Sequence, residues 1–166
     1  MLTEKIKARF GAEILSAQNE RDEETFTIDR ERAYDFFRAL RDDPDFEFNV
    51  LTDLTAVDWL ERTPRFDVVY QLNSLTRGHR IRVKIRVDAA DPSVPSVVGV
   101  WGAADWLERE CFDMFGIDFK GHPDLRRILM YDSFEGHPLR KDYLYNKRQP
   151  IGPEIDPVVN PIRQSR

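Results

Sequence analysis

The residues able to carry chemistry are few, and most of their spacings do not suit it. Cys111 stands alone, which excludes an internal disulfide and a thiolate-only metal or iron–sulfur site, since the latter needs about four cysteines. His79, His122 and His137 are scattered and lack the i, i+4 spacing of a helical zinc site. The eight glycines fall singly, with no GxGxxG or GxxxxGKS/T phosphate loop. The chain is therefore expected to hold no cofactor and no metal of its own.

Carboxylates offer more. In Ala103–Phe115 a helical wheel at about 100° per residue gathers Ala103, Ala104, Trp106, Leu107, Cys111, Met114 and Phe115 into one apolar arc. Glu110 falls inside that arc and Asp113 at its edge, with Asp105 and Arg109 opposite. A carboxylate on an apolar face must be paired or protonated, because burying a lone charge costs several kcal/mol. The nearest guanidinium groups are Arg126 and Arg127, and Glu110 is expected to be tied to one of them. The catalytic alternative is a proton-relay pair of Glu110 and Asp113, assisted by a histidine. Cys111, central on the arc, is expected to be a small core residue rather than a nucleophile.

Two similar elements follow, Gly121-His122-Pro123-Asp124-Leu125-Arg126-Arg127 and Gly136-His137-Pro138-Leu139-Arg140-Lys141-Asp142. In each, glycine permits a turn, and proline holds the preceding histidine extended. The leucine should then anchor, and the basic pair can reach a carboxylate or a backbone carbonyl. Their repetition reads as a pair of clamps. The basic pairs beside them disfavour a metal cation between His122 and His137.

These features need a scaffold. Leu2, Ile6 and Phe10 mark an amphipathic first helix. Strands are expected at 12–18 and 25–28 around the turn 19–22. Asp29 should cap a helix burying Ala33, Phe36, Phe37 and Leu40 and ending before Pro44. Strands follow at 48–57, 66–75 and 79–87, the last two joined by Thr76-Arg77-Gly78. Pro95 is expected to open a short helical turn, and Gly116 to cap the helix 103–115. The fold class is α+β, an α/β sandwich: a mixed, partly antiparallel sheet packed on helices, followed by a long extended C-terminal tail. The body covers 1–116. The segment 117–166, with six of the ten prolines and no regular period, reads as a partner-docking extension.

Composition narrows the classes. With 41% hydrophobic and 33% charged residues the chain reads as one globular domain, and no apolar run nears the ~20 residues of a bilayer span. Residues 1–136 hold 19 basic and 27 acidic side chains, against six and three in 137–166. An acidic body with a basic tail suggests a second surface of opposite sign, either on this body or on a partner. The row Arg80, Arg82, Lys84, Arg86 lacks the interleaved aromatics of a nucleic-acid track, so a solvated or partner-facing sheet surface with acidic neighbours is expected.

Glu108-Arg109-Glu110, Asp113, Gly116-Ile117, Phe119 and Gly121–Leu129, followed by Gly136–Tyr143, closely resemble the signature of the 30 kDa subunit family of respiratory complex I, the proton-pumping NADH–quinone oxidoreductase. One departure is Leu144-Tyr145, where many relatives carry proline after the aromatic. The resemblance implies a non-catalytic structural subunit of the peripheral arm, supporting electron transfer from NADH to quinone. It implies docking on the quinone-site subunit of the complex and proximity to the iron–sulfur subunits. The flavin (FMN) and iron–sulfur clusters would be held elsewhere in the complex, on the cytoplasmic face of the bacterial inner membrane. Nucleic acid and direct bilayer insertion are not implied. Equivalent subunits of membrane-bound hydrogenases and other donor–quinone oxidoreductases share the signature. Some relatives are fused to the quinone-site subunit, and this chain is expected to be the separate form.

Overall fold

The alternation of Ile81, Val83, Ile85 and Val87 becomes the central strand of a five-stranded sheet in the computed structural model, which describes residues 2–21, 23–144, 146 and 149. The elements in chain order are α1 (Leu2–Phe10), β1 (Ile14–Glu20), β2 (Glu23–Ile28), a 3-10 turn (Arg30–Arg32), α2 (Ala33–Asp42), β3 (Val50–Asp58), β4 (Phe66–Ser74), β5 (His79–Val87), β6 (Ser93–Pro95), α3 (Ala104–Phe115) and β7 (Asp118–Lys120). The sheet order is β1-β2-β5-β4-β3, with β2 and β5 parallel and the other neighbours antiparallel. The expected mixed α+β fold is what forms.

Side-chain alternation decides which face is covered. The β4–β5 register sets Phe66, Val68, Tyr70 and Leu72 beside Val87, Ile85, Val83 and Ile81, and all eight are buried. Gly78, with φ of 67°, closes the hairpin between them. Helix α2 buries Ala33, Phe36, Phe37 and Leu40, and Asp29 caps the turn before it by accepting from the Glu31 amide at 3.0 Å. The Phe37 ring lies 4.5 Å from Tyr70 and 5.7 Å from Trp101, while Trp101 Nε1 donates to the Phe48 carbonyl at 3.0 Å. The alternate residues of β5 carry the basic row. Arg82 meets Glu23 at 2.9 Å and Arg86 stands 3.8 Å from Asp67, so acidic side chains flank it.

Three local expectations are corrected. Pro95 opens no helical turn: Ser93–Pro95 is a strand, paired in parallel with Asp118–Lys120. A strand end tolerates the missing proline N–H, and the partner strand lies too far along the chain for local pattern to reveal it. The turn begins two residues later, where the Val100 and Trp101 amides donate to Val97 O at 2.9 Å. Asn19 and Glu20 belong to β1 rather than to the turn, which leaves Arg21 at φ of 55°; Asp22 lies outside the described residues. Strand β1 starts at Ile14, because Glu13 O accepts from the Asp29 amide and fixes the register there.

Phe37 touches both the sheet and the segment leading into α3, so truncation should leave a cavity at their junction. Phe37→Ala is expected to lower unfolding free energy by about 4 kcal/mol in urea denaturation, with the m-value unchanged. A loss below about 1 kcal/mol would mean that this ring does not bridge the two.

Candidate functional site

Helix α3 ends at Gly116, whose φ of 71° and amide bond to Phe112 O make a left-handed C-cap. A helix C-terminus leaves its last carbonyls without partners. The second Gly-His-Pro element supplies them. His137 Nδ1 donates to Asp113 O at 2.9 Å, the Leu139 amide to Met114 O at 3.1 Å, and Arg140 Nε to Phe115 O. The Arg140 charge also complements the negative end of the helix dipole. Its guanidinium lies 5.3 Å from the Phe66 ring centre, and that of Arg65 4.9 Å from it. A Cβ on Gly116 would approach His137 Nε2 to 2.5 Å and Arg140 Nη2 to 2.7 Å, so only glycine lets this element close onto the helix. Gly136, at φ of 90°, makes the turn into it.

The first element grips the same helix from another side. His122 Nδ1 accepts from the Asp124 amide at 3.0 Å, which leaves Nε2 to donate to Asp105 O at 3.2 Å. Gly121, at φ of 86°, and Pro123 set this turn. Arg109 donates to the Arg126 and Arg127 carbonyls at 3.3 Å each, and its guanidinium lies 5.3 Å from the Trp106 ring centre. The strongest junction is Asp113, which is 0% exposed. One carboxylate oxygen accepts from Arg127 Nη1 at 2.6 Å. The other accepts from the amides of Ile128, Leu129 and Met130 at 3.1, 2.8 and 2.8 Å. Burial pushes this carboxyl up, but the three amides and the guanidinium outweigh it and hold it below the usual carboxylate range. Arg127 also donates to Gly136 O at 3.0 Å, linking the two elements.

The expected tie between Glu110 and Arg126 or Arg127 does not form. Glu110 is exposed, and so is Trp106. Arg126 reaches Asp124 instead, at 2.8 Å. The wheel assumed one buried side, whereas α3 is covered on two. Ala104, Glu108, Cys111 and Phe115 face the sheet, and Arg109 and Asp113 lie under residues 126–130. The acid buried against the sheet is Glu108, which accepts from Ser96 Oγ and the Val97 amide at 2.7 Å each. Cys111 is a core residue, its thiol pushed up chiefly by burial. With Glu110 exposed and Asp113 buried and saturated with donors, the structure brings no proton-relay pair together.

A second carboxylate junction was missed in the sequence. Asp58, at the end of β3, accepts a fork from Arg65 at 2.8 and 2.7 Å and the Lys141 amide at 2.8 Å. The Arg65 guanidinium holds it far below the usual carboxylate range. Arg65 also meets Asp142 at 2.9 Å. The available signal was an acid and an arginine bracketing the β3–β4 turn, with Pro64 before the arginine. Pro138 is partly buried, and the Lys141 side chain is exposed. Leu125 packs on the core as expected, but Leu139 is exposed and does not anchor. In the second element, hydrogen bonds to helix carbonyls replace the leucine. The part of the expected tail from Pro150 onward lies outside the described residues, as does Tyr145.

Residues 26–149 match the family described as respiratory-chain NADH dehydrogenase, 30 kDa subunit. The chain is 51% identical over 139 residues to the C subunit of NADH-quinone oxidoreductase from Citrifermentans bemidjiense, covering 84% of this chain and 85% of that one. It is 44% identical over 165 residues to the second such C subunit of Rhizobium etli, with 97% and 88% covered. Among solved structures it resembles the trypsin-resistant fragment (1–134) of Nqo5, with a TM-score of 0.62, 34% identity, and 75% and 96% of the two chains covered. It also resembles a chain of the membrane-bound sulfane sulfur reductase, an archaeal respiratory membrane complex, with a TM-score of 0.71, 25% identity, and 86% and 83% covered.

Removing the Asp113 carboxylate would strand three amides and a guanidinium together. Asp113→Ala should cost about 3 kcal/mol and make the bonds after Arg126 and Arg127 far more sensitive to trypsin. Because the folded carboxyl is held below its ordinary range, its stabilisation is fully present above that range and is lost as pH falls below it, through the lower folded value. In wild type the same bonds should therefore open to an acid-active protease below about pH 4. Unchanged cleavage of the variant would contradict the assignment.

Proposed function

The chain belongs to the respiratory-chain NADH dehydrogenase 30 kDa subunit family, and from that premise we propose that it is a non-catalytic structural subunit of the peripheral arm of a proton-pumping NADH–quinone oxidoreductase. That it is a subunit of a respiratory complex follows from the family itself. Docking on the quinone-site subunit, contact with the iron–sulfur subunits, and a place on the cytoplasmic face of the inner membrane are the finer parts of the reading.

The observation that carries the docking role is an inversion along residues 118–144. Their backbone is bound to the body through Asp113, Asp58 and the α3 carbonyls. Yet Leu129, Leu139 and Leu144 are 56%, 53% and 66% exposed, beside Trp106 at 63%. A segment folding only for itself would turn its leucines inward. Here ion pairs and amides fix the path, and while Phe119, Leu125 and Met130 pack on the core, these three leucines are left facing out, as the core of a protein–protein contact requires. The chemical groups that a redox centre would use are committed elsewhere. His122 and His137 bond to backbone carbonyls, and Cys111 lies in the apolar core, which supports a subunit without flavin, cluster or metal. Among the described residues no helix is long and apolar enough to cross a membrane, in keeping with peripheral attachment. The likeness to the archaeal sulfane sulfur reductase favours a second reading, in which the same subunit serves a related hydrogenase-like or other donor–quinone complex.

Affinity purification of the tagged chain from native membranes separates these readings. Recovery of a quinone-site subunit with NADH-oxidising partners supports the first, and a hydrogenase-type set the second. The combined substitutions Leu129→Ser, Leu139→Ser and Leu144→Ser should reduce recovery of partners at least tenfold while leaving the isolated chain's thermal midpoint within about 2 °C. Full recovery of partners with the triple variant would overturn the docking surface.

A further inference from the structure

Glu108 is a carboxyl group in an unusual position. It is wholly buried between α3, the sheet and the segment that follows β6. Its hydrogen-bond partners, Ser96 Oγ and the Val97 amide, are both neutral, and among the described residues no cation reaches it. The other buried carboxylates at the site are treated differently: Asp113 has Arg127 and Asp58 has Arg65. A buried carboxylate without a countercharge is far costlier than a neutral acid. The surroundings repeat the preference. On α3, Asp105 adds negative charge, and Glu110 and Cys111 lie near it in sequence. From β4 comes the Tyr70 hydroxyl, wholly buried with no hydrogen-bond partner among the described residues; Asp53 of β3 bears on Cys111 rather than on Glu108. From α2, Arg41 reaches the Gly99 and Val100 carbonyls at 3.4 and 2.7 Å and is paired with Asp42 at 2.7 Å.

We propose that Glu108 is a proton-binding site of the folded chain: its neutral acid form latches the Ser96–Trp101 turn onto α3, and closing that turn during folding takes up one proton. The Ser96 hydroxyl donates to Glu108 Oε2 at 2.7 Å, and its oxygen accepts from the Val98 amide at 3.3 Å. Burial, only partly countered by the two donors, raises the carboxyl from its ordinary 4.5 to about 7. The sign follows from linkage. Between those values the folded chain holds a proton that the unfolded chain has lost, so stability falls as pH rises through the window and levels off above it. This is opposite to the behaviour of Asp113. It holds whichever complex the chain joins.

The test uses the full-length chain. Infrared difference spectra at about pH 6 should show the carbonyl stretch of a protonated carboxylic acid, absent in Glu108→Gln, and fading in wild type as pH rises past about 7. Over the same window the wild-type folding constant should fall up to about tenfold per pH unit relative to Glu108→Gln. Ser96→Ala removes one donor to the charged form and should move both effects to higher pH. A merely structural hydrogen bond would not produce that displacement, and if Glu108→Gln fails to fold, the wild-type and Ser96→Ala spectra suffice. Absence of the band in wild type, or parallel pH profiles of the two proteins, would overturn the proposal.

Discussion

The arrangement of the C-terminal third depends on one carboxylate. Asp113 gathers an arginine and three consecutive amides, and consecutive amides converging on one oxygen require a tight, defined backbone. Residues 128–130 have no helix or strand to satisfy their N–H groups, so without this acceptor they would have to turn to water. The carboxylate thus acts for an irregular segment as a ladder does for a strand. It also explains the low proton affinity of a fully buried group: donors, rather than solvent, hold the charge.

Other contacts extend this constraint. The α3 carbonyls capture His137, Leu139 and Arg140, and Asp58 captures the next amide, that of Lys141. Each grip uses a polar group on a rigid element against the backbone or a planar side chain of the segment. The chain can therefore follow a fixed path with Leu129, Leu139 and Leu144 left exposed. Ordering backbone costs about 1–2 kcal/mol per residue, and these clustered charge-assisted bonds are of the kind that offsets it. These leucines stay exposed, because the polar grips hold the irregular path without collapsing it onto itself.

Much of this was legible in the sequence, and the remainder failed for identifiable reasons. Strand β5 alternates strictly and is read at its true ends, and α2 buries the four residues its spacing selects. The sheet signal is local, so it survives. The β6–β7 pair joins segments separated by the whole of α3, and Pro95 misleads because its fixed φ suits both a helix start and a strand end. Helix α3 misled more seriously. A wheel assigns one buried arc from residue type, but here an acid, Glu108, faces the sheet while a tryptophan, Trp106, faces out. What makes that possible is the Ser96–Val97 donor pair on one side and the chain's own later residues on the other. The Gly-His-Pro repetition did indicate two grips, yet their partners, Asp105 O and the last carbonyls of α3, are backbone atoms that carry no sequence signature. The Asp58–Arg65 pair carried no sign of its grip on the tail, because Lys141, which ties the segment to Asp58, contributes only its amide.

Asp113 orders a stretch that has no regular secondary structure, and amide hydrogen exchange of the full-length chain, resolved at Ile128, Leu129 and Met130, tests this most directly. These three amides should exchange as slowly as those in the middle of α3, while the neighbouring amides of Asp132 and Ser133 exchange freely. If all five exchange at the rate of an unstructured peptide in wild type, the carboxylate does not hold the segment, and the path of the C-terminal third must have another cause.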